Sequence, residues 1–240
     1  MRTVILLFLL PFCACAQAQD MFDYHRDFDR MVKESQDSKH PHYYPTLLKR
    51  YNSNDTTLSN AEILAFMVGF TRQPAYLAKD NGDREEKIMD YVRNDQYTQA
   101  IEAANKLLAA YPMNFTAAME KSFSVMKLKQ DSAVFYKQRF MSIQRAIRAS
   151  GDGSREHPYF ILGANDGNLL VNFVLGGEVG MLGTGRDEHG NLIEMIEMTD
   201  RKEKDKPSVY VFFITDQRGT QAIDAQVDAA VEEIKKEQKA

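Results

Sequence analysis

Two histidines separated by one residue are the first candidates for chemistry in this chain of 240 residues. His40 and His42 can each offer an imidazole nitrogen to a transition metal, and His25 lies nearby in the sequence. A metal site also needs a third ligand, and Pro41 and Pro45 equally favour a kink at the surface. We therefore predict no metal site.

The residue types of a hydrolytic triad also occur together. Asp152, Ser154 and His157 lie within six residues of one another. The fold, not adjacency in the sequence, normally brings triad residues together, and the chain contains no G-x-S-x-G elbow. We predict no catalytic residue and take Asp152 and His157 as candidate binding residues. An envelope hydrolase that uses Asp152, His157 or His189 remains the alternative.

Three further patterns resemble cofactor or acid–base sites without meeting their requirements. The acidic segment 79–86 lacks the ligand order of a calcium loop, and a turn before a helix explains it as well. The glycine clusters 176–180 and 183–185 lack the Lys-Ser/Thr pair of a phosphate loop, and they favour bulges and turns in a sheet. Glu194 and Glu197 are three residues apart, which places them on opposite faces of a strand. We predict no cofactor.

Tyrosine is abundant in the first half of the chain, at positions 43, 44, 51, 76, 91, 97 and 111. Such residues mostly pack between the helices of repeat-like hairpins. The alternative is an aromatic groove that holds a peptide. We take Tyr43, Tyr44 and Tyr76 as candidate peptide-binding residues.

Residues 19–150 have the hydrophobic periodicity of helices. The segment 40–45, with its two prolines, interrupts the first helix. Ser59 and Glu62 have the spacing of a capping box and predict the start of an apolar helix. Four more helices are predicted over residues 85–93, 97–111, 115–126 and 133–147.

One pair of these helices resembles a tetratricopeptide repeat. Tyr97, Ala100, Ala104, Leu107 and Pro112 occupy the positions of its aromatic, small, apolar and terminal proline residues. Three or more repeats are normally needed for a free-standing solenoid, so we predict a degenerate hairpin within a larger domain. The alternative is an ordinary set of antiparallel helices.

Residues 151–240 change character after the cluster Ser150-Gly151-Asp152-Gly153-Ser154. The alternation predicts strands over residues 159–162, 169–175, 178–182, 192–198 and 209–214, with a hairpin turn at Asp166-Gly167-Asn168. An amphipathic helix is predicted over residues 222–236. We therefore predict an α+β fold, with a small antiparallel sheet and a closing helix after the helical region. The two regions are separate domains or one compact unit.

The first 18 residues have the pattern of a secretory signal peptide. Arg2 precedes an apolar run, and Ala14, Ala16 and Ala18 offer overlapping cleavage sites. Both cysteines, Cys13 and Cys15, lie inside this segment, so cleavage would leave a chain without thiols. We predict export to the periplasm or the cell surface, with a lipoprotein as the alternative.

Composition excludes two classes of partner. The formal net charge is −4 and no basic block occurs, so the chain lacks the electrostatic footprint of a nucleic-acid-binding protein. No second apolar run reaches the length of a membrane span, so we predict no transmembrane segment after cleavage of the signal.

The chain resembles a family of secreted proteins from Bacteroidetes-type bacteria, known as domain of unknown function number 4919. The resemblance rests on Phe66-Met67-Val68-Gly69-Phe70-Thr71, on Tyr97-x-x-Ala100 and on Ser150-Gly151-Asp152-Gly153. It extends over residues 25 to 220. The family implies no activity and no catalytic residues for this chain.

Export, the repeat-like hairpin and the incomplete catalytic patterns together predict a non-catalytic module of the cell envelope that binds a protein or a peptide. The alternatives are an envelope hydrolase that acts on a glycan or a peptide, and a purely structural component of the envelope.

Overall fold

The structure is a computed structural model that describes residues 22–77, 81–203 and 205–216. The predicted signal peptide, residues 1–18, and the predicted closing helix, residues 222–236, lie outside the described residues. The α+β fold class is confirmed, since the helices lie mostly before residue 150 and the strands lie after it.

The helical region contains eight α-helices, counted over the described residues. They are α1 Tyr24–Gln36, α2 Tyr44–Asn52, α3 Asn60–Phe70, α4 Pro74–Leu77, α5 Gly82–Arg93, α6 Tyr97–Ala110, α7 Phe115–Lys127 and α8 Ala133–Ala149. The predicted break at residues 40–45 separates α1 from α2, and Pro45 lies in the first turn of α2, where its missing N–H removes no helical hydrogen bond.

Helix α3 is the centre of the helical region, because every residue from Ile63 to Phe70 is buried. It packs against α1, α2 and α8. The predicted capping box starts it: the Ser59 hydroxyl accepts the N–H of Glu62, and the Glu62 carboxylate accepts the N–H of Ser59. A helix that is apolar on all sides is stable in water only when neighbours cover it, and these three helices do so.

Helices α5 to α8 form a consecutive array in which each helix packs against the next. Ala100, Ala104 and Leu107 form the buried stripe of α6, as their spacing predicts. The turn between α5 and α6 places Asp95 in the left-handed region, with φ at 57°. This arrangement agrees with a helical hairpin, and its identity as a degenerate tetratricopeptide repeat stays a prediction.

A four-stranded sheet follows, with the strands β1 Tyr159–Phe160, β2 Gly177–Arg186, β3 Leu192–Asp200 and β4 Val209–Ile214. Their order in the sheet is β1-β4-β3-β2. The pairs β2–β3 and β3–β4 are antiparallel, as predicted, whereas β1 pairs with β4 in parallel. The sheet is therefore mixed, because the chain crosses to its far edge between β1 and β2 and returns to β1 with β4.

The predicted strand over residues 169–175 and its hairpin turn at Asp166-Gly167-Asn168 are wrong. The segment forms a short helix, α9 Ala164–Leu169, followed by a π-helix over Leu170–Leu175. Gly163 precedes α9, and the Asp166 carboxylate accepts the N–H of Gly163, as in a capping box. A short apolar run is compatible with a buried strand or a buried helix, and periodicity alone does not separate them.

The two regions share one continuous hydrophobic core among the described residues. The ring of Phe160 in β1 lies near the rings of Phe22, Tyr24 and Phe28 at the start of the chain. The hydroxyl of Tyr111 donates to the carbonyl oxygen of Leu162. The sheet is therefore built onto the helices and does not stand apart from them.

Candidate functional site

The three candidate tyrosines differ in their burial. Tyr44 is 7% exposed, and its ring stacks on Phe66 with 5.2 Å between centroids. Burial raises the pKa of its hydroxyl to about 12. Tyr76 is partly buried against Phe70 and Tyr111. Tyr43 precedes α2 and is half-buried. Tyr44 thus packs inside the helical core, whereas Tyr43 and Tyr76 are both partly exposed.

Hydrogen bonds hold the loop of Asp152 and His157 in a fixed shape. The Asp152 carboxylate accepts the N–H of Ser154, and the Ser154 hydroxyl accepts the backbone N–H of His157. A Cβ atom on Gly151 would lie 2.4 Å from the carbonyl oxygen of His157, so the loop needs glycine there. The hydrogen bonds of Ser154 lower the pKa of Asp152.

The His157 ring lies near Asp23, the residue that precedes α1. Its Nδ1 lies 3.7 Å from the carboxylate of Asp23. None of the hydrogen bonds described for this loop joins the Ser154 hydroxyl to the imidazole, as a nucleophile and its base require. The loop lies at the junction of the two regions, and the candidate roles of Asp152 and His157 stay predictions.

A second group of polar side chains lies around the beginning of α1. The Nε2 of His25 lies 3.1 Å from the Asp187 carboxylate, and the Nδ1 of His25 lies 3.0 Å from the Asn191 amide. The ring of His189 is 4.2 Å from the ring of His25. The loop between β2 and β3 is therefore tied to α1. The sequence did not indicate this contact, because more than 160 positions separate the residues (166 for His25 and Asn191).

A buried polar cluster joins α5, α7 and α9. The Glu85 carboxylate accepts hydrogen bonds from the Asn114 amide at 2.5 Å and the Thr116 hydroxyl at 3.2 Å. The Asn165 amide approaches the same carboxylate at 3.4 Å. Asn114 also caps α7, because its side chain accepts the N–H of Ala117. The sequence placed Glu85 at the acidic start of a predicted helix, and the structure gives it a buried connecting role.

Two carboxyl groups near this cluster hold their protons more tightly than usual. Asp166 is 4% exposed, and burial together with the nearby charge of Glu85 raises its pKa to about 8. Burial raises the pKa of Glu194 to about 7. Glu194 pairs with Thr184 and Phe213 in the sheet register, so it lies on the face that contains the buried Phe213. Both groups are oriented inward, away from a substrate in solvent.

One pocket lies between the α2–α3 connection and α8. Its volume is about 120 Å³, and its walls include Tyr51, Leu58, Gln138 and Arg145. Pockets for drug-sized ligands usually have volumes of about 300 Å³ or more. This pocket has space for a few waters or a small ion and does not suit a glycan.

The edge strand β2 is the most exposed part of the sheet. Among the described strands it pairs with β3 alone, and no backbone hydrogen bond from another described residue reaches the segment 182–185 on the side away from β3. Met181 and Leu182 are 61% and 58% exposed, which is unusual for large apolar side chains. We call the segment 181–186 with its outward-facing backbone the β2 edge.

Glycines make the β2 edge open to a second backbone. A Cβ atom on Gly185 would meet nothing within 4 Å, and its φ is not positive, so neither space nor conformation requires glycine there. A bulge sets Gly180 and Met181 opposite Glu197 where the edge begins. Tyr210 of β4 pairs with Glu197 of β3 and is also exposed, so the sheet exposes a further large side chain away from the edge.

The model of one protein family matches residues 29–200, from within α1 to the end of β3. That family is described as a domain of unknown function (DUF4919). The chain belongs to this family. The matched residues include parts of both regions, so the DUF4919 unit comprises the helices and most of the sheet. The predicted resemblance to this family is confirmed over residues 29–200, whereas secretion, a Bacteroidetes origin and the repeat-like hairpin stay predictions.

Neither a curated protein nor a solved structure shows significant similarity to the chain. Among the described residues, no helix combines the length and the apolar character needed to cross a membrane.

Proposed function

We propose that this DUF4919 protein binds an extended peptide segment, which adds as a further strand at the β2 edge. The observation that carries the proposal is the segment 182–185, which ends the described sheet without a strand partner on its outer side. An edge of this kind hydrogen-bonds another extended backbone, and this is how several peptide-binding domains capture their ligands.

Side chains beside the edge supply the specificity that backbone pairing lacks. Met181 and Leu182 lie on successive positions and so offer apolar contact on both faces of an added strand. Gly185, where a Cβ atom would meet nothing within 4 Å, leaves room for a large side chain of the peptide, whereas the Met195 side chain fills the space beside Gly183. The preferred ligand is therefore an extended segment with apolar residues at alternate positions and no proline at its centre.

Export places this activity in the cell envelope. The pattern of residues 1–18 supports secretion to the periplasm or the cell surface, and the net charge of −4 disfavours nucleic acid as a partner. Tyr43 and Tyr76 stay candidate contacts for a protein partner, whereas Tyr44 belongs to the core.

Two proline variants test the proposal, because neighbouring N–H groups of a strand point to opposite sides. In Thr184→Pro and Gly185→Pro, one substitution removes an N–H that faces β3 and the other removes an N–H at the free edge. We would select extended peptides from a display library and measure their affinity by calorimetry. The edge-facing variant should lose binding at least tenfold with an unchanged melting temperature.

The ligand supplies the matched control. N-methylation of the peptide at alternate residues removes its backbone donors on one side, so one of the two methylated series should lose binding and the other should keep it. Val134→Ala, on the exposed surface of α8, should leave the affinity unchanged. Strand addition is refuted if the two proline variants bind the peptide equally well and the two methylated peptide series also bind equally well.

A further inference from the structure

The last turn of α1 and the loop after it bring three metal-ligating side chains together. Glu34 lies on α1, and His40 and His42 lie in the loop that leads to α2. One potential ligand atom from each lies within 4.8 Å of the other two. We call Glu34, His40 and His42 the three-ligand cluster. The structure gives Glu34 as the third ligand, whereas His25 lies with Asp187 at the other end of α1.

Distances inside the cluster are close to those between ligands of one ion. The Nδ1 of His42 lies 2.8 Å from the Oε2 of Glu34, and the rings of His40 and His42 are 5.0 Å apart. Ligand atoms of a tetrahedral zinc ion lie roughly 3.3 Å from each other, given metal–ligand distances of about 2.0 Å. Binding of an ion would therefore lengthen the distance between the Nδ1 of His42 and the Oε2 of Glu34 by about half an ångström.

Hydrogen bonds around the cluster hold its loop and its carboxylate in place. The N–H of His40 donates to the carbonyl oxygen of Asp37, and the N–H of Tyr43 donates to that of His40. Arg30 donates to the Oε1 of Glu34 at 2.7 Å and leaves the Oε2 directed at His42. Ligating carboxylates are commonly oriented by a second hydrogen bond of this kind.

The contact between the Nδ1 of His42 and the Oε2 of Glu34 lies where a cation would bind. Between His42 and Glu34 a proton bridges a nitrogen and a carboxylate oxygen, and a metal ion replaces such a proton. The Nδ1 of His40 accepts the N–H of His42, and ligation through that nitrogen would release this bond.

We propose that Glu34, His40 and His42 form a binding site for a zinc ion. Two imidazoles and one carboxylate match the ligand preference of zinc, and they leave a fourth position for water or for a ligand atom of a partner. Magnesium and calcium prefer sites made of oxygen ligands only, so the two imidazoles select against them. All three side chains are partly exposed, so the ion can enter from solvent.

Calorimetric titration with zinc chloride tests the site directly. The full chain, purified without a histidine tag and treated with a chelator, should bind one equivalent of zinc. Glu34→Gln, His40→Gln and His42→Gln should each weaken binding about tenfold or more, and magnesium or calcium in excess should not compete. Zinc should also raise the melting temperature of the unaltered chain and not that of His42→Gln.

His189→Gln is the matched control, since His189 belongs to the pair with His25 and lies outside the cluster. It should bind zinc as the unaltered chain does. Cobalt(II) adds a readout of coordination, because a four-coordinate ion with nitrogen ligands gives strong visible bands that the three variants should lose. The proposal is overturned if chelator-treated protein shows no saturable binding, or if His189→Gln loses zinc while the three variants retain it.

Discussion

At the scale of single residues, ionisation of the Asp166 carboxyl group destabilises the folded state. Its pKa is raised to about 8, so the folded state keeps a proton that the unfolded chain loses near pH 4. Its contribution to stability is complete below pH 4 and is lost as the pH rises towards 8. Asp166→Asn removes this loss, so its stability relative to the unaltered chain should rise by about 4 kcal/mol between pH 5 and pH 8. Urea unfolding at pH 5 and pH 8 measures the difference.

An exposed aspartate provides the control for this prediction. Asp131→Asn, in the turn before α8, should leave the pH dependence unchanged. Asparagine at position 166 still offers an oxygen to the N–H groups of Leu162 and Gly163, so the local hydrogen bonds persist. If Asp166→Asn and Asp131→Asn have the same slope of stability against pH, Asp166 is ionised in the folded state and the prediction fails.

The residues of the polar cluster also show where sequence reasoning reached its limit. Ser59 and Glu62 are three positions apart, so their capping box is visible in the sequence. Glu85, Asn114 and Asn165 belong to three separate elements, and no local pattern joins them. The pair His40 and His42 was recognised, but Glu34 becomes its partner only because the loop folds back on α1.

At the scale of elements, the start of α3 carries the next prediction. Ser59→Ala removes the acceptor for the N–H of Glu62 and leaves the reciprocal bond without its partner. The expected loss of unfolding free energy is about 1 kcal/mol, because α3 packs against three helices and cannot fray freely. Denaturant unfolding measures it.

A nearby serine and a double variant make this prediction specific. Ser53→Ala removes one exposed hydroxyl bond to Arg50 and should change stability by less than about 0.5 kcal/mol. The effects of Ser59→Ala and Glu62→Ala should sum to more than that of the double variant, since the two residues share one motif. Additive effects would show that the capping box contributes nothing as a unit.

The same scale explains why one element was predicted wrongly. Leu169 to Leu175 has branched and aromatic residues and follows Asp-Gly-Asn, and both features are typical of a strand after a turn. In the structure, the Asp166 carboxylate instead lies at the N-terminus of α9, and Gly167 packs closely against Ile196 and Phe213 of the sheet. The glycine is needed for close packing between helix and sheet. In a single sequence, a glycine needed for packing looks the same as a glycine needed for a turn.

At the scale of the whole molecule, the packing predicts that helices and sheet unfold together. Arg72 of the helical region pairs with Asp216 after β4, and Tyr24 of α1 donates to the carbonyl oxygen of Thr215. The core is continuous through Phe160, which is fully buried between α1 and the sheet. A domain that shares its core in this way lacks a boundary at which one region can unfold alone.

Phe160→Leu tests this coupling, because it removes the aromatic contacts of β1 with α1 and with Phe22 before it. The expected cost is about 1.5 kcal/mol, and hydrogen exchange should become faster by the same factor in α3 and in β3, although neither element contains the substitution. Phe173→Leu, at an exposed position of the π-helix, should accelerate exchange in neither. Faster exchange confined to β3 and β4 would mean two separately stable units, and the β2 edge would then belong to a sheet that opens independently of the helices.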